Sequence, residues 1–596
     1  SLLMVPSTYE AGKLYNVLPS GNRAPDNKGG AGYDQTRADF DFDRGSNAAA
    51  TRINSSGLIE KYRENLLTFS NDFSNAAWPK GNVSLTANQT DPNGGTNAFL
   101  ATTTNTNGAY FYQNISVSGI ECMSVYAKAG TRSNFSIIPS SFGNGAHFDL
   151  ISKTSSVSGV GVASSIEAVG NGWYRCSVSV TAGTNMLISL SIINGGGMTI
   201  GDTMVFANAQ QESGLVATDY LNSTSVTAKA GVLIDLPRIN YDANGENGAL
   251  LLEPSRQQLI QFSEYIGASY WTKTNATITD NATTSPEGVV NASALTENTS
   301  TSTHFMISQL VPASASTYYS ASYFVKYNGR HFQILGSTGS EGGGYVNFDL
   351  INGEVGNSDQ LTGSIESLGN GWYRCTGTNI STSSATEIRL LPYLCTNPTS
   401  SRAESYLGDG TSGVYIWGAQ IEPNASYATS YIPNHSGTGG VTRAADSCSV
   451  TGASDVIGGT SGTIFFDIKT NKTLTSTNYK QFFYYSGVNS ASSYMYISGN
   501  NYIVGNPSLG NIVSGTQLEA DTQYKVAITY KQNDFKLYIN GSLSATRTSG
   551  SVIDAVDITS IGSYNGVSEF NEFQFNQYAH FQEVLSDSEL ATLTTL

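Results

Sequence analysis

Hydrophobic and polar residues alternate along much of this chain, in short runs broken by glycine and asparagine. In WYRCSVSV (173–180), Tyr174, Cys176, Val178 and Val180 share one parity, and Trp173, Arg175, Ser177 and Ser179 share the other. Period-two alternation puts such sets on opposite faces of a strand. The preceding Asn171-Gly172 is a strong hairpin signal, because a type I′ turn needs positive φ at both central positions. The pattern predicts a hairpin re-entering a sheet, with Tyr174 and Cys176 toward a core and Trp173 and Arg175 outward or toward the rim. ADFDFDR (38–44) alternates in the same way, phenylalanines on one side and aspartates on the other. GTIFFDIK (462–469) reads as a strand. YKVAITYKQNDFKLYINGSLSAT (524–546) reads as strand, turn, strand, Asn-Gly turn, strand. The helix signal is confined to the end, where Ser586 followed by Glu589 forms a capping box. The chain is predicted to be all-β.

The same patterns occur twice. GNGWYRC stands at 170–176 and again at 369–375, and RENLLTFSNDFSNAAWPK (63–80) aligns without a gap on RQQLIQFSEYIGASYWTK (256–273). SVYAK (124–128) matches SYFVK (322–326), HFDL (147–150) matches NFDL (347–350), ANAQQE (207–212) matches WGAQIE (417–422), and ATDYL (217–221) matches ATSYI (428–432). A repeat of this length is a duplicated domain, not a solenoid unit. Two homologous β domains are expected at 63–225 and 256–436, after a separate prelude (1–62). A linker (226–255) joins them, and a third β domain spans 446–596. The phrases ATRIN (50–54), VTAKA (226–230) and VTRAA (441–445) mark the joints.

Composition sharpens this picture. Charged residues are only 13% of the 596, against 34 Tyr, 24 Phe and 62 Gly, a profile of β-sandwiches with polar loops. A net charge of −16 argues against a nucleic-acid partner. No apolar run approaches the roughly 18–20 residues that span a bilayer, so no membrane insertion is expected. The five cysteines are read as reduced core thiols, because Cys176 and Cys375 are repeat equivalents while Cys122 and Cys395 are not. The start of the chain lacks the basic and apolar regions of a secretory signal.

Candidate chemistry is sparse. Asp39, Asp41 and Asp43 lie about 7 Å apart along one strand face, too far to share a calcium ion without a loop. Five His show no metal spacing, and no nucleophile elbow or phosphate loop occurs, so no metal, cofactor or enzyme activity is expected. In SEFNEFQF (568–575), Glu569 and Glu572 are not on one strand face and no Asp lies between them, so they do not read as the paired carboxylates of a glycoside hydrolase. A binding reading has more to work with. A sugar's apolar face can lie on an aromatic ring while polar side chains bond its hydroxyls. Trp173 with Arg175, and Trp372 with Arg374, have that composition. They are glycan platforms or lids on the sandwich rim. Trp78, Trp271 and Trp417 are expected in cores. In the last domain Tyr484, Tyr485, Tyr494 and Tyr564 are read as loop aromatics that could line a shallow groove.

With these residues in view the chain resembles bacteriophage virion fibre proteins, of head or tail. LLMVPS…GKLYNVLPS…DFDFDR…ATRINSSGLIE is similar to the N-termini common in such proteins. NLLTFSNDFSNAAW…GNGWYRC…WGAQIE…ATSYIPN resembles their jelly-roll modules, which are similar to carbohydrate-binding modules. YKVAITY…FKLYINGSL…IGSYNG…HFQEVLSDSEL resembles concanavalin A-like, laminin G-like domains. The resemblance implies an N-terminal virion-attachment segment, two jelly-roll β-sandwiches and a concanavalin A-like β-sandwich. It further implies a particle-surface protein assembled in the host cytoplasm, with capsid or tail proteins as partners, weak glycan adhesion and no chemistry. A homotrimer is expected, since long β fibres protect their edges by symmetric association. A fibre without glycan binding and a secreted bacterial lectin-like module are the alternatives.

Overall fold

The computed structural model describes residues 2–6, 40–47, 49–140, 143–190, 197–336, 343–381, 387–451, 460–470, 480–487, 492–498, 502–506, 511–552, 556–563 and 573–596. Among these residues the elements are antiparallel strands and one helix, Asp587–Thr594, opened by the Ser586/Glu589 capping box.

The two homologous regions are jelly-roll sandwiches with the same strand order. In the first, one sheet runs Gly161–Gly170, Trp173–Val180, Glu121–Ala129, Thr203–Ser213, Ala98–Thr103, Val83–Gln89. In the second the corresponding order is Thr362–Ser367, Trp372–Ser381, Tyr318–Asn328, Gly413–Pro423, Ala292–Glu297, Ala276–Thr283. The facing sheets also correspond, from Thr154–Ser158 to Lys80–Gly81 and from Glu354–Asp359 to Trp271–Thr274. The repeated hairpin forms as its dipeptide requires, with Asn171 and Gly172 at φ 52° and 78°, and Asn370 and Gly371 at φ 51° and 75°. Between the sheets Val125, Cys176, Val178, Phe111, Phe135 and Phe206 fill one core; Val325, Cys375, Phe332, Phe348 and Leu394 fill the other. The five cysteines are buried free thiols.

Residues matched between the copies make matched bonds. Ser70 Oγ meets Tyr220 OH at 2.7 Å and accepts from Ser223 N; Ser263 Oγ meets Tyr431 OH at 2.7 Å and accepts from Asn434 N. Trp78 Nε1 donates to Phe69 O, and Trp271 Nε1 to Phe262 O, with Phe69 and Phe262 at φ 45° and 48°. Lys80 and Lys273 each donate to backbone carbonyls of the preceding turn. Glu212 accepts from Thr218 N and Oγ1, and Glu422 from Thr429 N and Oγ1, which pins the returning tail of each module. Each tail then closes its own module by pairing with the opening strand: Ala228–Ala230 with Arg63–Asn65, and Val441–Arg443 with Arg256–Gln258. The repeated residues are thus clamps that hold a loop-rich sandwich shut.

The third sandwich departs from the sequence expectation. Leu2–Met4 pairs with Gln574–Phe581, Phe40–Asp43 pairs with Ser447–Thr451, and the hairpin Ile239–Asn240/Ala249–Leu251 also joins Gln574–Phe581. Met4, Phe42, Ile239, Leu250 and Leu252 belong to one core with Cys448, Phe466, Leu537 and Phe575. The described parts of the prelude, and the linker (226–255), are therefore not separate from the domain at 446–596. They supply sheet edges and core residues to it, because their apolar positions need a partner face that neither segment can make alone. A linear order, with attachment segment at one end and concanavalin-like domain at the other, does not hold for the described residues.

Candidate functional site

The two Trp-Arg pairs are not open platforms. Trp173 is 1% exposed and packs with Ala98 and Ala207 on the outer side of its sheet. Trp372 is 3% exposed, packs with Ala292, Phe324, Leu368, Trp417 and Tyr431, and donates from Nε1 to Thr284 O at 3.1 Å. Ile59, from the prelude hairpin Thr51–Ile53/Ile59–Lys61, lies in the same cluster. The side opposite the sandwich core thus carries a small core of its own, and neither indole offers a free face. Tyr174 and Tyr373, placed toward the core by parity, are only half-buried against it. Trp417 is buried as expected, but in the outer cluster. The register shifts between Ser322 and Phe324, and Gly418 takes φ 62°, which turns the parity of the strand over.

Arg175 and Arg374 are held alike. Arg175 donates to Ser124 Oγ at 3.1 Å with its guanidinium 5.4 Å from the Tyr126 ring centre; Arg374 donates to Ser322 Oγ at 3.1 Å with its guanidinium 5.4 Å from the Phe324 ring centre. Tyr484, Tyr485 and Tyr494 lie on strands rather than loops, Tyr494 opposite Tyr484 in the ladder. Tyr564, Glu569, Glu572 and Asp39 lie outside the described residues.

What the structure does assemble is a cleft of about 190 Å³ where four segments meet. The prelude hairpin contributes Arg52 and Ile59, the linker Glu253, the second jelly roll Phe324, Glu366, Arg374 and Tyr427, and the third sandwich Lys469, Asp521 and Gln574. Arg374 is the one sequence candidate among them. Arg52 Nε pairs with Glu60 at 2.7 Å, and Lys469 with Asp521 at 2.9 Å on the exposed rim.

Below the cleft lies a buried ionic joint. Arg238 bonds both Asp446 and Glu253, Arg443 reaches Glu253 at 2.8 Å, and Arg44 reaches Asp446 at 3.3 Å. Ser430 N donates to Glu253 at 2.8 Å, and Arg238 to Thr51 O at 3.0 Å. Burial alone would raise the Glu253 pKa, but Arg443 and Arg238 pull it down to about 2. The joint ties the prelude, the linker, the second jelly roll and the third sandwich together. Sequence reading missed it, although a signal exists. TRIN with Glu60, and PRIN with Glu253, are one motif used twice, and both make an Arg-Glu pair beside neighbouring hairpins, Arg52–Glu60 and Arg238–Glu253.

Comparison with known proteins agrees with this architecture at its C-terminal end. Residues 453–591 match the family model of the concanavalin A-like lectin/glucanases superfamily. No curated protein matches the chain. Among solved structures it is similar to the Ruminococcus gnavus sialidase CBM40 bound to α2,3-sialyllactose, at 19% identity over 24% of this chain and 88% of that one, with a TM-score of 0.22. It is also similar to the tandem CBM22 domains of a Paenibacillus barcinonensis protein, at 10% identity over 64% and 99%, with a TM-score of 0.19. Laminin α1 domains LG4-5 of mouse align at 11% identity over 48% and 88%, with a TM-score of 0.17. Among the described residues no helix is long and apolar enough to cross a membrane, and no three His, Cys, Asp or Glu are grouped to hold a metal ion.

Proposed function

We propose that this chain is an adhesion protein that holds glycans weakly and does no chemistry on them. The observation that carries the reading is the concanavalin A-like lectin/glucanase match at 453–591, on a sandwich that closes one wall of the four-segment cleft. That cleft sets half-buried and rim charges beside apolar surface, as recognition of a ring with CH faces and hydroxyl edges requires. The two jelly rolls serve as scaffold, since their matched residues are spent on matched internal bonds. A single site of roughly millimolar affinity becomes useful through many copies on one surface.

The setting that fits is a phage particle, with capsid or tail proteins as partners and a homotrimer as the assembled unit. It rests on the resemblance of the prelude and module motifs to virion fibres. Retention of the full chain on immobilised polysaccharides, with released reducing ends measured in parallel, tests the activity. Retention without release supports adhesion. Steady release of reducing ends contradicts it, and failure to be retained on any host-surface polysaccharide leaves the purely structural fibre. Light scattering that gives a stable monomer would count against the trimer.

A further inference from the structure

The four-segment cleft carries polar groups that the fold leaves unspent. Arg52, half-buried, gives Nε to Glu60 at 2.7 Å, and its two Nη nitrogens have no partner among the described residues. Arg374, also half-buried, gives one Nη to Ser322 Oγ at 3.1 Å and keeps the other. The side-chain amide of Gln574, half-buried as well, makes no bond among the described residues. Glu366 is exposed opposite Arg374 in the ladder. Glu253 is the exception, since Ser430, Arg238 and Arg443 take up its carboxylate.

The charges of the cleft balance. Its lining holds three cations, Arg52, Arg374 and Lys469, and three anions, Glu253, Glu366 and Asp521. Behind them Arg44, Arg238 and Arg443 stand against Glu60, Asp446 and Glu422. An anion entering this field gains from the guanidiniums no more than it loses to the carboxylates, and leaving water still costs it. The net charge of −16 repels it from a distance as well. A hydroxyl both donates and accepts, so it can use a guanidinium, an amide and a carboxylate together. Ring stacking has no place here, because the aromatic residues of the lining, Phe324, Tyr427 and Tyr431, are at most 6% exposed. The apolar surface on offer is aliphatic, from half-buried Ile53 and Ala428.

At about 190 Å³ the space falls below the roughly 300–1,000 Å³ of drug-sized sites and suits one small ring. An internal stretch of glycan would need room for a ring on either side. We infer that the cleft takes a single uncharged pyranose, the end of a glycan chain, held by its hydroxyls on Arg52, Arg374, Gln574 and Glu366. The assignment of a neutral terminal sugar to this cleft rests on the adhesion reading above and narrows it.

The test uses the full chain and ligand-observed saturation-transfer NMR. The neutral probes are the methyl pyranosides of glucose, galactose and mannose; the acidic ones are methyl glucuronide and N-acetylneuraminic acid. At least one neutral glycoside should receive saturation, and neither acid should compete with it. The matching trisaccharide (maltotriose, galactotriose or mannotriose) should bind within about threefold of its glycoside. Ala428→Phe fills the cleft and Gln574→Ala removes the amide; each should weaken binding, the first at least about tenfold. Glu366→Gln removes an exposed carboxylate beside Arg374. It should raise binding of an acid relative to the neutral glycoside by at least about threefold at low salt.

Equal or tighter binding of an acid to wild type, or a trisaccharide bound at least about tenfold more tightly, would overturn the assignment and leave adhesion standing. So would neutral binding unchanged in both Ala428→Phe and Gln574→Ala, or a Glu366→Gln chain no more receptive to acids than wild type. Saturation of no probe, by a chain that polysaccharide still retains, would have the same effect. Loss of that retention as well would take the adhesion reading with it. If Ala428→Phe proves unstable in thermal melts, Gln574→Ala decides the location alone.

Discussion

Replacing Glu253 by Gln removes one negative charge from the buried joint and keeps its shape. The folded carboxyl titrates at about 2 against an ordinary value of 4.5, because Arg443 and Arg238 flank it at 2.8 and 2.9 Å. A carboxylate held down in the folded state adds stability above its ordinary pKa and loses it as pH falls toward the folded value. At about 1.4 kcal/mol per unit, this gap corresponds to about 3 kcal/mol at neutral pH. Removing one partner of a buried ion pair gives the same order, about 3–5 kcal/mol. Glu253→Gln should therefore weaken the joint by about 3 kcal/mol at pH 7. The difference from wild type should shrink between pH 4.5 and pH 2. Because three sandwiches need not unfold together, hydrogen exchange at the joint is the suitable assay. The amides to follow are Ser430 N, Glu253 N and Asp446 N, bonded to the Glu253 carboxylate, the Asp446 carboxylate and Glu253 O. A loss under about 0.5 kcal/mol at pH 7 would refute the reasoning. So would a loss as large at pH 2.5 as at pH 7.

Residues 446–596 expressed alone should fail to give a cooperative melt, because Met4, Phe42, Ile239, Leu250 and Leu252 are missing from its core; a cooperative melt like that of the full chain would refute this. Gly172→Val should lower stability of the first jelly roll by about 1–2 kcal/mol through positive-φ strain, since the nearest atom to an added Cβ is Lys128 Cε at 3.5 Å and the space itself is open; an unchanged denaturation midpoint would say the turn is not strained. Trp372→Ala should cost about 3–5 kcal/mol, as for other buried aromatics, with any glycan retention lost only in step with unfolding; normal melting with lost retention would restore the platform reading.

The strands were legible wherever alternation was clean, as in 173–180, and the duplication followed from matched words. What alternation cannot say is which sheet a strand will join. DFDF announces a two-faced strand, yet only the fold reveals that Phe42 packs against Cys448 rather than within a prelude of its own. The apolar neighbours of Trp417 point to the sandwich core, and the bulge at Gly418 puts its side chain on the other face. The Trp-Arg pairs matched the composition of a sugar platform, and the sequence held no sign that Ile59, far away along the chain, would help to cover Trp372. The four-segment cleft is not legible either, because its walls come from residues far apart in sequence, and a charged side chain such as Glu253 looks like an ordinary surface residue until its burial and partners are known.

Adhesion through the four-segment cleft is the central claim, and affinity electrophoresis of the full chain in polysaccharide-loaded gels tests it most directly. The variant to compare is Lys469→Glu, which reverses one side of the exposed Lys469–Asp521 rim pair and leaves the cores untouched. Wild type should be retarded by at least one host-derived polysaccharide, and the variant should migrate with at most a tenth of that retardation while melting at the same temperature, about 1.4 kcal/mol or more of lost binding. Equal retardation of the two proteins, or none for wild type in any polysaccharide, would contradict the account.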